Sequence, residues 1–147
     1  MRLLLSALAL CTATSVAADT GFVSYTTNDS FDDVVFGLES AIIGEGLVID
    51  SVSHTGDMLE RTKSAVGSDV TLFTKADIFS FCSAKISREV MEVNPMNVAF
   101  CPYDIFVVVT PDKPDETMIG FRSFPEGEMQ KIEALLDRVP KTASGLE

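Results

Sequence analysis

Ile105-Phe106-Val107-Val108-Val109-Thr110, then Pro111-Asp112-Lys113-Pro114-Asp115, then Met118-Ile119-Gly120-Phe121-Arg122-Ser123-Phe124: this stretch decides the fold. The first run is almost wholly apolar, rich in β-branched residues and too short for an ordinary helix. It predicts a central strand buried on both faces. The prolines and aspartates that follow form a turn. The third run is a partner strand, antiparallel across a hairpin.

Downstream, Glu126 to Val139 places Met129, Ile132, Leu135 and Leu136 at helical spacing, and residues 141–147 after Pro140 read as a flexible tail. Upstream, Gly21 to Thr26 is a short strand. Ser30 caps a helix whose inner face carries Val34, Val35, Leu38, Ala41 and Ile42, and Gly44 and Gly46 end it. Leu47 to Val52 is again a strand. Gly56 to Val66 is a helix with Met58, Leu59, Thr62 and Val66 turned inward. Val70–Phe73 and Asp77–Phe81 are extended segments, forming one bent strand or two. Ser83 caps a further helix with Ile86, Val90 and Met91 inward. That helix closes at Asn94-Pro95, because the residue before proline avoids the helical region. The order β-α-β-α-β-α-β-β-α predicts one α+β domain, a mixed, mostly antiparallel sheet with helices mainly on one face.

The amino-terminus reads as an export signal: Met1-Arg2, an apolar run from Leu3 to Leu10, then Val16-Ala17-Ala18 before Asp19. The run is about half the length needed to span a bilayer, so the mature chain carries no membrane span. Residues 1–18 are therefore read as the signal peptide, 19–140 as the domain, and the periplasm as the destination. Cys11 leaves with the signal, so the mature chain keeps Cys82 and Cys101, an even count in a compartment where disulfides persist. The whole chain has 11 basic and 22 acidic residues, a net charge of -11, and loss of Arg2 makes it one unit more negative. Nucleic acid and anionic lipid surfaces are excluded as partners on that charge.

Several local features carry a family resemblance. They are Glu45-Gly46-Leu47-Val48-Ile49-Asp50 after an early helix, then Val52-Ser53-His54, Phe81-Cys82, Asn94-Pro95, and the proline-led strand Pro102-Tyr103-Asp104-Ile105-Phe106-Val107. Over about residues 22 to 124 the chain resembles the family catalogued as domain of unknown function 302. Members often place a cysteine after the proline of the last motif. Here Cys101 precedes Pro102, so no role carries over to it. The resemblance implies a small α+β domain, often dimeric, and no reaction.

The candidate site residues are few. Cys82 is expected at a strand end beside a helix N-terminus, where amide donors stabilise a thiolate, and Cys101 enters the following strand. If the two strands are neighbours the sulfurs meet. A bridge closing a loop of about 20 residues stabilises by about 3 kcal/mol. Three readings stand open for the pair: a structural disulfide, redox-active thiols served by a periplasmic redox partner, and metal or haem ligation. His54 is the sole histidine, and Met58 lies four residues on. With Cys82 and Cys101 they make a soft donor set suited to copper or haem iron; otherwise Met58 is core and His54 bonds a loop. Asp50, Asp57, Asp77 and Asp104 lie near strand ends, yet no spacing pairs two of them for acid–base work. There is no Gly-x-Ser-x-Gly elbow and no Cys-x-x-Cys, which argues against a hydrolase and weakens a thiol–disulfide enzyme. The sequence therefore supports a small exported binding or accessory protein more than an enzyme.

Overall fold

A computed structural model describes residues 21–146. Five strands, β1 (Phe22–Thr27), β2 (Val48–Ser53), β3 (Lys75–Cys82), β4 (Tyr103–Val109) and β5 (Thr117–Arg122), form one sheet in the order β1-β5-β4-β3-β2. Every neighbouring pair is antiparallel, so the expected mixed sheet is an antiparallel one. For β4 and β5 the short 110–116 connection dictates this, since parallel neighbours need crossovers of a dozen or more residues. The β4–β5 hairpin is as the Pro/Asp turn foretold, and β4 is the central strand.

Helices α1 (Phe31–Gly44) and α4 (Gln130–Ala143) cover one face. Ser30 caps α1, its hydroxyl accepting the Asp33 amide at 3.2 Å. Val34, Leu38 and Ile42 meet Phe79, Phe81, Ile105, Val107, Ile119, Phe121, Leu136 and Val139 in one core. The two helices approach so closely that a Cβ at Gly37 would lie 2.5 Å from the Ala143 carbonyl oxygen. Helix α4 starts four residues later than expected and runs on through buried Pro140 to Ala143. Pro140 gives up the backbone bond to the Leu136 carbonyl, and its apolar ring is buried.

Strand β4 is not buried on both faces. Tyr103, Ile105, Val107 and Val109 are buried, while Asp104, Phe106 and Val108 are half-buried on the other side. The second face is only partly covered, by α2 (Thr55–Thr62), which docks through Gly56 against Ala76. The expected inner face of this helix is consequently wrong. The α-helix stops at Thr62, passes into a 3-10 turn at Lys63–Val66, and leaves Met58 and Val66 exposed. Val70–Phe73 is a loop, so the bent-strand alternative reduces to the single strand β3. Helix α3 (Ala84–Val93) ends at Asn94 as expected, but Pro95–Phe100 adds a 3-10 turn that the sequence reading missed.

Candidate functional site

Cys82 is the last residue of β3, and Ser83 then caps α3. The α3 helix and the 3-10 turn return the chain to Cys101, which a cis peptide joins to Pro102 at the start of β4. In the β3–β4 register Phe81 faces Tyr103, so Cys82 comes level with Pro102 and beside Cys101. Both thiols are free and half-buried, and they are close enough for Cys101 to act on the titration of Cys82. Cys82 alternates with buried Phe81 and so belongs to the less covered face. Cys101 packs against the core, and the pair therefore straddles the sheet.

The surroundings hold Cys82 neutral. Its pKa is pushed up to about 12, first by burial, then by the Cys101 thiol, with the Asp50 carboxylate adding to the effect and the Tyr103 amide opposing it. The helix N-terminus lies where the sequence placed it, but its effect on the thiol is overturned. The Ile86 amide turns to Ser83 Oγ at 3.4 Å, and burial dominates. Tyr103 is buried beneath the thiols, its hydroxyl 2.7 Å from Ser87 Oγ. Phe124 packs edge-on to Tyr103 with ring centroids 6.2 Å apart and also meets Phe100 at 5.8 Å, closing the floor of the site.

His54 stands elsewhere. It follows Ser53, which pairs with Ile78, and its Nδ1 lies 2.9 Å from Asp77 Oδ1. Asp77 is five residues before Cys82 on β3, or about 17 Å along an extended strand. Bonding to Asp77, then its charge, raises the His54 pKa. Met58 is exposed on α2, with Thr62 Oγ1 3.9 Å from its sulfur. The soft donor set thus divides: Cys82 and Cys101 come together, and His54 and Met58 lie apart from them. Among the described residues no cluster of three or more His, Cys, Asp or Glu side chains is placed to hold a metal ion.

Sequence reasoning missed a second feature. The less covered face of the sheet holds an apolar groove of about 470 Å³, lined by Phe22, Phe73, Ile78, Phe106, Val108 and Met118 among others. The signal is the unbroken apolar run Ile105–Val109, whose second apolar face lines an open groove rather than a second core.

An antiparallel five-stranded sheet with the long helices α1 and α4 on one face, the short α2 on the other, and α3 between β3 and β4 defines a small α+β domain. The chain belongs to the family described as "Domain of unknown function DUF302", which it matches over residues 23–139. Its fold is similar to that of an uncharacterized conserved protein DUF302 from Bacillus stearothermophilus, with a TM-score of 0.58, 16% identity, and coverage of 87% of this chain and 91% of that one. No match is found among curated proteins. Among the described residues no helix is long and apolar enough to cross a membrane, and residues 1–18, read above as the signal, lie outside the described part.

Proposed function

We propose that the chain is an exported, periplasmic binding or accessory protein in which Cys82 and Cys101 act as a reversible covalent clasp. The carrying observation is the proximity of two free thiols, set by the strand register, at the point where β3 leaves the sheet and β4 enters it. Oxidation would break two S–H bonds and form one S–S bond. Two protons and two electrons would pass to a protein or small-molecule disulfide, which becomes two thiols. Both states of the clasp are uncharged, which suits a half-buried site beside Asp50 in a strongly acidic protein.

The electrostatics favour a clasp over a turnover enzyme. Exchange needs a thiolate, and a thiol pushed up to about 12 supplies little of it at neutral pH. Once formed, the bridge constrains a loop of about 20 residues and stabilises by about 3 kcal/mol. The test is intact mass and thiol alkylation of protein taken from its native compartment without reductant. The expected chain begins at Asp19, is two hydrogens lighter than the dithiol, and takes up no alkylating agent until reduced. Two thiols that alkylate at once and resist oxidation by glutathione disulfide would sink the clasp. A chain retaining Met1 in the cytosol would sink export.

A further inference from the structure

Alternation along β3, β4 and β5 sends Ile78, Phe106, Val108 and Met118 away from the core, and they floor the groove of about 470 Å³. The floor is flat because position 120 is glycine: a Cβ there would lie 2.6 Å from the Phe106 ring. Phe106 also meets Phe22 edge-on, their centroids 6.0 Å apart. Phe73 and Thr55 stand on one side and Phe22 on the other, so the trough is about three strands, or about 10 Å, wide. That width suits a single hydrocarbon chain and is too narrow for a second sheet to lie flat against the floor.

The polar chemistry of the groove sits at one end. Among the described residues, Asp104 and Arg122 are the charged ones that line it. Asp104 is already engaged on both oxygens: Ser80 Oγ donates to Oδ1 at 2.6 Å and Arg122 Nη2 donates to Oδ2 at 3.3 Å. That contact uses one corner of the guanidinium, which is half exposed, and the rest of its donor fork remains for a ligand. We propose that the groove binds a long-chain fatty acid, its chain along Ile78, Phe106, Val108 and Met118 and its carboxylate on Arg122. A second copy would bring the full chain's net charge of -11, one unit more negative without Arg2, against an equal one, whereas a fatty acid brings a single charge and sets it on Arg122, the cation among the described lining residues.

This inference rests on the binding-protein reading and adds the ligand class, and its failure leaves the thiol clasp standing, because thiol state is read separately on the same sample. The experiment is calorimetric titration of the mature protein with octanoate, dodecanoate and dodecyltrimethylammonium, each below its micelle concentration. Expected is a 1:1 complex with dodecanoate, tightening about three- to fourfold per methylene between the two acids, with no binding of the cationic amphiphile. Arg122→Gln should weaken dodecanoate about tenfold, and Asp104→Asn should not weaken it. Val108→Glu, with folding checked by circular dichroism, should abolish binding. Equal affinity for the cationic amphiphile, or no complex with dodecanoate, overturns the proposal. So does a wild-type dimer that Val108→Glu converts to monomer, since the groove would then be an interface between copies.

Discussion

The two faces of β4 differ by one residue of register and by nearly everything else. Ile105 and Val107 are fully buried beneath α1 and α4, while Phe106 and Val108, equally apolar, lie half-open in the groove. Composition is therefore the wrong guide to which face is core. What separates them is the supply of helices. Helices α1 and α4 are long and carry buried apolar stripes, and both are spent on the odd-numbered face. On the other, α2 has eight residues and reaches the sheet through Gly56. The covered face holds the fold together, and the open one is left with apolar surface of the kind that ligands use.

Truncation on each side is the strongest way to break this contrast. Ile105→Ala removes a fully buried side chain from a packed cluster and should cost about 3 kcal/mol, within the usual span for such cavities. Val108→Ala, on the same strand but facing the groove, should cost about 1 kcal/mol or less, because water already reaches it. Urea midpoints at constant m-value would measure both. Equal losses would mean that the groove is core, and the distinction between the faces would collapse.

The covered face was legible in the sequence and the open one was not. Val34, Leu38, Ala41 and Ile42 repeat at helical spacing and are buried as read; Met129, Ile132, Leu135 and Leu136 likewise. Ser30 and Ser83 cap helices because a short hydroxyl side chain before an apolar repeat has few better uses. Pattern reading failed where backbone proximity, rather than side-chain type, made the contact. Nothing in the spacing of Met58, Leu59, Thr62 and Val66 reveals that α2 docks through a glycine. The thiol site was half legible. Proximity of Cys82 and Cys101 follows from two strands joined by one helix. The direction of the Cys82 shift depends first on burial and then on the Cys101 thiol, with Asp50 adding to it, and none of these can be read from spacing.

A smaller effect sharpens what holds the covered face closed. Gly37→Ala puts a methyl where the Ala143 carbonyl lies 2.5 Å away, and backbone cannot move aside as a flexible side chain would. Alanine normally gains up to about 1 kcal/mol over glycine inside a helix. Here the clash should outweigh that gain and leave a net loss of about 1–2 kcal/mol. Thermal unfolding of the variant against wild type decides it. A stabilised protein would show that α1 and α4 can separate without penalty.

The smallest expected effect lies at the fringe of that face, where His54 meets Asp77 across the end of β2 and β3. The imidazole is largely exposed, and its pKa is raised first by the hydrogen bond to Asp77 and then by that carboxylate's charge, with Asp57 contributing further. A raised folded-state pKa means that the protonated form is favoured on folding. The contribution is thus fully present below the unfolded value of about 6.5 and fades as pH climbs through the folded one. Proton NMR of the His54 ring should place its midpoint above 6.5 in the wild type. In Asp77→Asn the midpoint should fall back towards 6.5, with the difference shrinking as salt is added because the pair is bathed in solvent. Truncation at His54 should leave the midpoint of urea unfolding nearly unchanged at a pH well above the ring's own NMR midpoint, where the imidazole is neutral. A wild-type midpoint at or below 6.5 would mean that this pair does not form in solution, and that β2 ends without an ionic tie to β3.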